Sequence, residues 1–411
     1  MDQATRVRLT KLPPLQHDTS TRECKVCRGA ARLFDVVDFN KTCNAETPYP
    51  FGLAGIEVPY FRCHSCGFAF TEFFDDWSAE DFSRFVYNAD YVKADPDYVG
   101  ERSRNLAAPL ADLLMGHGEL SILDYGSGSG VLAKELAALG YRKVTSYDPF
   151  SHPRRPDSNF DLITCFEVIE HSTMPWQIMT DIASLLKPDG AMLCGTCLQP
   201  ANINEIRANW WYMSPRNGHV SIYTPDALSQ LARGSGLTLF HGDGQLAFAR
   251  AEPAPVIAGI LARIGKPHVY HCLYAPEAGA AAPDPRHPAA PDESCWQGVE
   301  PGPGGTRFRW TAKSELTWKD SLPVGRAFAG RIVIPYVNEI EPGFAARCRL
   351  QVERLNVPLT VEGGRLVAES EFAPLKSGDI TLVTPEPRRP SDLRPVSDSR
   401  SLGLAITTGP A

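Results

Sequence analysis

The sequence lacks several features that would define its class at once. No apolar run in its 411 residues approaches the ~20 residues that a membrane-spanning helix needs. The N-terminal stretch has basic residues but neither an apolar core nor a small-residue cleavage site, so we expect a flexible arm over residues 1–20 and no secretory signal. Positive charge is not in excess, since 41 lysines and arginines stand against 48 acidic residues. We therefore expect a cytoplasmic protein with no membrane span and no nucleic-acid partner.

The eleven cysteines favour a metal site over a disulfide framework, which is not expected without export. Two Cys-x-x-Cys pairs, each followed by a glycine, are separated by 35 residues. Four thiolates arranged in this way suit a closed, tetrahedral and therefore structural zinc site. Buried free cysteines are the alternative, whereas a redox role lacks the βαβ context that it needs. The predicted zinc ligands are Cys24, Cys27, Cys63 and Cys66.

A glycine-rich turn is the most informative motif. Residues 121–130 read S-I-L-D-Y-G-S-G-S-G, which predicts a buried strand, a turn with three alternate glycines and then a helix that stops at Gly140. No P-loop lysine follows, and Val131 occupies the last position of a dinucleotide fingerprint. The next predicted strand ends at Asp148, where a carboxylate suits a pair of ribose hydroxyls.

These residues resemble the class I S-adenosylmethionine-dependent methyltransferases over roughly residues 100 to 250. The resemblance implies a Rossmann-like α/β core with S-adenosylmethionine as cofactor. Only twelve residues separate Asp148 from Asp161, where that family places a helix and a third strand, so Phe150 is the one candidate to stack on the adenine. By resemblance, the cofactor-binding residues are Asp124, Gly126, Ser127, Gly128, Gly130, Asp148, Phe150, Phe166 and Glu167.

Two segments are predicted at the carboxyl edge of the sheet, where open α/β sheets bind ligands. The first, C-F-E-V-I-E-H-S, resembles the E-V-x-E-H segment of small-molecule O-methyltransferases and places Glu170 and His171 toward the acceptor. A histidine there suits proton removal, although His171 could instead cap the next helix. The second, N-W-W-Y-M-S-P-R-N-G-H, predicts an aromatic wall with His219 as base or acceptor ligand; a packed lid is the alternative.

The C-terminal third changes character. A Pro/Ala/Gly-rich stretch indicates a linker, and the alternating strands beyond it indicate an all-β sandwich that resembles modules of bacterial polysaccharide enzymes. We predict a glycan or protein partner for this sandwich; an oligomerisation role is the alternative. The expected domains are a zinc-binding segment at 21–95, a methyltransferase domain at 96–255, a connecting segment with the linker at 256–306, and the sandwich at 307–411.

These features predict an S-adenosylmethionine-dependent methyltransferase that O-methylates a saccharide or related small molecule in surface polysaccharide or glycolipid biosynthesis. A cysteine-knuckle segment ahead of the core is also found in sugar C-methyltransferases, so C-methylation of a nucleotide-linked keto-deoxysugar is the first alternative. An RNA methyltransferase and a non-catalytic glycan-binding module are the others.

Overall fold

The computed structural model describes residues 20–242, 245–272, 291, 293–301, 307–319, 321–325, 327–353, 355–389, 400 and 402–407. The predicted arm lies outside these residues except for its last position, and so does most of the predicted linker. No described helix combines the length and the apolarity that crossing a membrane requires.

The N-terminal module is a small antiparallel sheet followed by two short helices. The second and third strands are the long ones, and both Cys-x-x-Cys pairs lie in turns next to strand ends. Its fifth strand is supplied from far along the chain, because residues 69–70 pair with Ser221–Ile222. The module's own elements are β1 (Arg22–Glu23), β2 (Ala30–Asp38), β3 (Glu57–Cys63), β4 (Ala69–Phe70), α1 (Ala79–Phe85) and α2 (Tyr91–Ala94).

The central part is a Rossmann-like α/β layer structure with buried parallel strands, as the sequence predicted. Its strands are β5 (Ile122–Tyr125), β6 (Val144–Tyr147), β7 (Phe160–Phe166), β8 (Leu186–Gly195), β10 (Thr238–Gly242) and β11 (Gln245–Ala249), while β9 (Ser221–Ile222) belongs to the N-terminal sheet. Its helices are α3 (Glu101–Leu113), α4 (Val131–Ala138), α5 (Pro175–Leu185), α6 (Ile203–Ile206), α7 (Pro225–Gly234) and α8 (Pro255–Ile264).

The strand order β8-β7-β5-β6 is parallel throughout, and β6 pairs only with β5 in the described part of the chain. As the short spacing between Asp148 and Asp161 predicted, the described residues hold no further strand or helix between β6 and β7. β8 begins at Leu186, directly after α5, and includes residues 187–190. Pro188 is tolerated there because the β7–β8 register shifts at that point.

The C-terminal part is a two-sheet structure that continues the central sheet. β12 pairs in parallel with β16, so that one 13-stranded sheet runs from the core into the sandwich. A four-stranded sheet packs against its C-terminal end over a shared apolar core. The strands are β12 (Lys266–Cys272), β13 (Trp296–Pro301), β14 (Arg307–Thr311), β15 (Glu315–Trp318), β16 (Phe328–Glu339), β17 (Arg349–Val352), β18 (Leu355–Val357), β19 (Thr360–Val361), β20 (Arg365–Phe372), β21 (Ile380–Val383) and β22 (Leu404–Thr407).

The segment predicted as a connection, 256–306, thus contains α8, β12 and β13. Sequence reasoning missed this because the pairing of β12 with β16 joins residues some 60 positions apart (His268 with Ala329), and no local pattern encodes such a register.

Candidate active site

The glycine turn after β5 is built for close backbone approach. Gly126 and Gly128 have φ of +75° and +50°, values that glycine adopts at little cost. A Cβ on Gly126 would lie 2.3 Å from Val168 Cγ2, whereas one on Gly128 would meet no atom within 4 Å. The open side of Gly128 is therefore free for a ligand.

The turn faces a cavity of about 690 Å³. This volume is in the range of small-molecule and cofactor sites. Gly130 is not among the lining residues. A Cβ on Gly130 would lie 3.3 Å from Ser146 Oγ and 3.4 Å from His152 Cε1. The predicted cofactor residues that line the cavity are Asp124, Gly126, Ser127, Gly128, Phe166 and Glu167.

Asp124, at the end of β5, presents an unsatisfied carboxylate to this cavity. The residue is 4% exposed; its Oδ1 accepts a hydrogen bond from Thr164, while Oδ2 has no partner among the described residues. Burial raises the pKa of Asp124 to about 6. The Ser127 hydroxyl is likewise buried without a partner. Buried polar groups of this kind are costly unless a ligand pairs with them.

Asp148, at the end of β6, holds the adjoining loop together. One carboxylate oxygen accepts from the Gly128 amide at 3.2 Å, and the other accepts from the amides of Phe150 and Ser151 at 2.9 Å. Phe150 is 54% exposed and its ring lies 5.8 Å from that of Tyr87. The Phe150 ring is thus largely open to solvent, and neither Phe150 nor Asp148 is among the described residues that line the cavity.

Arg102 is a cavity-lining residue that sequence reasoning missed. It lies in the first turn of α3 and pairs with Asp95 at 2.8 Å. A fixed guanidinium beside the glycine turn suits a carboxylate ligand. Its neighbours E-R-S-R-N carry no motif, so only the position of α3 over the cavity reveals it.

Two carboxylates meet directly after β7. Glu167 adopts φ +54°, a strained value for a residue with a side chain, and Glu170 is fully buried. The Tyr212 hydroxyl donates to Glu170 and lies 3.5 Å from Glu167. Burial, and then the neighbouring Glu170, raise the pKa of Glu167 to about 8; burial also raises the pKa of Glu170.

Two imidazoles complete the group, with ring centroids 5.0 Å apart. His171 Nδ1 is 3.0 Å from the Gly218 carbonyl, and His219 Nδ1 is 2.8 Å from the Tyr212 carbonyl. Because carbonyls only accept, each Nδ1 carries the hydrogen and each Nε2 keeps its lone pair. Burial lowers the pKa of both histidines, which favours the neutral forms. The predicted catalytic residues Glu170, His171 and His219 are thus brought together, with ligand atoms within 4.8 Å of one another.

The aromatic segment before His219 is mostly packed. Trp210 and Tyr212 are buried, whereas Trp211 is 41% exposed. Arg216 is 4% exposed and donates to the Val86 carbonyl and to Asn88. Most of this segment is therefore packed, like the lid given above as the alternative. Tyr212 donates to Glu170 from it, and His219 lies close to the same carboxylate.

The four predicted metal ligands form one buried cluster. The Sγ atoms of Cys24 and Cys66 are 3.7 Å apart, and those of Cys27 and Cys63 are 3.5 Å apart. These distances approach the ~3.8 Å edge of a tetrahedron with ~2.3 Å Zn–S bonds. Cys43 is not part of this cluster, and its Sγ lies 3.6 Å from His219 Nδ1.

Comparison with known proteins agrees with this geometry. Residues 98–241 match the family described as "Methyltransferase domain". This segment is a class I S-adenosylmethionine-dependent methyltransferase domain. The ubiquinone biosynthesis O-methyltransferase of Cereibacter sphaeroides is 28% identical over 180 residues, which are 34% of this chain and 69% of that protein. The mitochondrial enzyme of the same name from Saccharomyces cerevisiae is 28% identical over 136 residues, 26% of this chain and 44% of that protein.

Among solved structures, an O-methyltransferase family protein from Burkholderia thailandensis superposes with a TM-score of 0.32 and 13% identity, covering 43% of this chain and 64% of that one. A possible histamine N-methyltransferase from Thermotoga maritima superposes with a TM-score of 0.29 and 17% identity, covering 41% and 98%. The aligned parts span about two thirds or less of the first structure and of most of the curated relatives. The N-terminal cysteine module and the C-terminal sandwich lie outside the matched residues 98–241.

Alanine substitutions in the glycine turn should separate packing from cofactor binding. Gly126→Ala forces a Cβ against Val168 and should lower the free energy of unfolding by about 2–4 kcal/mol. Gly128→Ala should cost only about 1 kcal/mol but should still weaken S-adenosylhomocysteine binding more than tenfold. Urea unfolding and calorimetry measure the two effects. Equal stability of the two variants would contradict the packing argument.

Binding of S-adenosylhomocysteine should depend on pH through Asp124. We expect the ionised carboxylate to pair with the ligand's ammonium, and protonation through the pKa of about 6 would remove that pairing. The dissociation constant should therefore rise about tenfold between pH 7 and pH 5. Asp124→Asn should bind weakly with a flat profile, while Asp161→Asn, at the start of β7, should keep the wild-type profile. A flat wild-type profile would argue against the pairing.

Proposed function

We propose that this protein transfers the methyl group of S-adenosylmethionine to a hydroxyl oxygen of a saccharide or related small molecule. The observation that carries the proposal is the cluster of Glu170 with two imidazoles whose Nδ1 atoms lie on backbone carbonyls, close in the chain to the cavity-lining Glu167. The exposed ring of Trp211, which packs beside Tyr212, suits the apolar side of a sugar ring. Asp124, Arg102 and the glycine turn would hold the methionine end of the cofactor, and Asp148 its ribose.

The chemistry assigned to these residues is a displacement with proton removal. Bound S-adenosylmethionine would supply an electrophilic methyl group to the acceptor oxygen, with S-adenosylhomocysteine as the leaving group. The hydroxyl proton passes to Nε2 of His171 or His219, which is free to accept it. The buried Glu170 faces the imidazolium so formed, as the hydrogen-bonded Tyr212 holds that carboxylate in place.

The same residues also suit a divalent cation. Glu167 and Glu170 are in contact, and Glu170 Oε2 is buried without a hydrogen-bond partner in the described structure. Two buried carboxylates in contact need either a shared proton or a positive charge. A cation held by Glu170, His171 and His219 would lower the pKa of an acceptor hydroxyl. In that case the histidines act as ligands rather than as bases.

C-methylation of a nucleotide-linked keto-deoxysugar is the second candidate. The cysteine cluster ahead of the core favours it, since sugar C-methyltransferases carry a similar segment. An imidazole in this position could also remove a proton from a carbon beside a carbonyl.

We further propose that Cys24, Cys27, Cys63 and Cys66 bind structural zinc. The backbone amides of Val26, Gly29 and Ser65 point at the sulfurs of Cys24, Cys27 and Cys63 at 3.3–3.4 Å. Amide donors of this kind stabilise thiolate ligands. With four protein ligands the metal would have no open position, so it would contribute to folding rather than to catalysis. For the sandwich we propose an accessory role in binding a glycan or a protein.

The acceptor class and the base can be tested together. Release of S-adenosylhomocysteine would be screened against sugars, glycolipid headgroups and nucleotide-sugars, with EDTA or with Mg²⁺ or Mn²⁺. His171→Gln and His219→Gln should each lower kcat about 10²–10⁴-fold while the affinity for S-adenosylhomocysteine stays within twofold. His117→Gln, in the turn after α3, is the matched control.

A cation-dependent reaction would be recognised by the effect of EDTA on activity. Loss of activity in EDTA, restored by the cation in wild type but not in Glu170→Gln, would assign the histidines as ligands. Full activity of both histidine variants on every acceptor would refute either role. Methylation at carbon would select the second candidate.

Zinc content should follow the four cysteines. We expect about one zinc per chain by plasma mass spectrometry, and Cys63→Ser should lose most of it together with several degrees of thermal stability. Cys348→Ser, in the sandwich core, removes a buried thiol that is remote from the cluster and should keep the zinc. Wild-type protein that is metal-free yet fully stable would contradict the assignment.

A further inference from the structure

The segment that carries Tyr212 and His219 has little structure of its own. Between α6 and β9 it contains only short 3-10 turns, at Arg207–Asn209 and Pro215–Asn217. The two side chains nevertheless have fixed orientations, with the hydroxyl of Tyr212 on Glu170 and its carbonyl receiving His219 Nδ1. Something outside the segment must therefore fix its path.

Lys41, from the loop after β2, reaches the segment from the N-terminal module. Its side chain is buried, and Nζ donates to the carbonyls of Trp210 at 2.8 Å and Met213 at 2.7 Å. These two carbonyls flank Tyr212 along the chain. One ammonium thus bridges the backbone on both sides of Tyr212, the residue that contacts both Glu170 and His219.

Other groups of the N-terminal module also hydrogen-bond to this segment. The Lys41 carbonyl accepts from the Arg216 amide at 3.1 Å. The Cys43 amide donates to Asn217 Oδ1 at 2.9 Å, and the fully buried Tyr60 hydroxyl donates to the His219 carbonyl at 2.7 Å. The backbone of the segment is therefore held at several points by β2, β3 and the loop between them.

A buried ammonium is a costly way to hold backbone. Lys41 donates to two neutral carbonyls rather than to a carboxylate, and burial lowers its pKa to about 8. An apolar residue of similar length would fill the same space without that desolvation cost. What it could not supply is two directed donors from a single point. The arrangement is therefore explained by a requirement for accurate placement more than by stability.

We propose that Lys41 is a positioning residue for the acceptor side of the active site, acting through the Trp210 and Met213 carbonyls on Tyr212 and His219. The inference rests on the proposed function for its meaning, but the geometry that it predicts can be measured without an acceptor. It also gives the N-terminal module a role in the reaction, since the module would set the geometry of the acceptor side while the glycine turn holds the cofactor.

The test uses the full-length protein and compares Lys41→Met, which removes both donors, with Lys41→Arg, which can restore them. Hydrogen–deuterium exchange would compare residues 207–222 with residues 120–131. Nitrogen-15 histidine NMR would report the tautomer of His219, assigned through His219→Gln. S-adenosylhomocysteine affinity would be measured by calorimetry.

For Lys41→Met we expect at least tenfold faster exchange over 207–222, unchanged exchange over 120–131, affinity within twofold of wild type, and a mixed His219 tautomer in place of the single Nδ1–H form. Lys41→Arg should restore the single tautomer. If Lys41→Met does not fold, Tyr60→Phe provides the milder variant, with faster exchange confined to the same segment. Tyr141→Phe, which removes a similar hydroxyl bond to the Ala111 carbonyl in the core, should leave that segment unchanged.

Unchanged exchange and an unchanged tautomer in Lys41→Met would overturn the proposal. Equal loosening of 120–131 with loss of ligand affinity would also overturn it, because Lys41 would then serve general stability. Failure of wild-type protein to bind S-adenosylhomocysteine would instead count against the proposed function alone, since the exchange and tautomer measurements do not depend on it.

Discussion

The contact between Glu167 and Glu170 is the constraint around which the candidate site is arranged. Two carboxylates in a water-poor pocket repel each other and cannot both ionise without compensation. Three features accompany this pair. Glu167 has a strained backbone, the Tyr212 hydroxyl donates to Glu170 and lies near Glu167, and the imidazole of His171 is close enough to affect the pKa of Glu167. Such an arrangement destabilises the isolated fold, and a group that brings positive charge or removes a proton would relieve it. A bound sulfonium beside Glu167 is one source of that charge.

The fold brings these groups together by joining two modules through main-chain pairing. β4 of the cysteine module pairs with β9, directly after His219. Both cysteine turns are also anchored to the core: the Trp176 indole donates to the Val26 carbonyl, and the Thr224 hydroxyl donates to the Cys66 carbonyl. A metal that stabilises these turns would therefore act on the acceptor side of the site, although its ligands line no part of the cavity.

The features that could be predicted from the sequence are those that depend on residues close together in the chain. Local rules predict the turn at Gly126, the strand and helix that flank it, and the carboxylate of Asp148. A turn that binds a nucleoside ligand needs glycines at fixed spacing, because its backbone must approach the ligand closely. Arg102 and Lys41 could not be found in this way. Each owes its place to the packing of a distant element, α3 over the cavity for Arg102 and the loop after β2 against residues 210–213 for Lys41. The sheet that runs from the core into the sandwich was missed for the same reason.

The shortened stretch after Asp148 changes how the cofactor would be held. His152 and Ser151 contact the Gly128 carbonyl, so a short loop braces the glycine turn where related folds use a further strand and helix. β6 is left at the sheet edge, and the Phe150 face is open to solvent. Stacking on an exposed ring excludes less water than a closed adenine pocket would. Affinity should therefore depend more on the methionine end, where Asp124 is buried and Arg102 is fixed by Asp95, and this is why an ionisable group at Asp124 is expected to control binding.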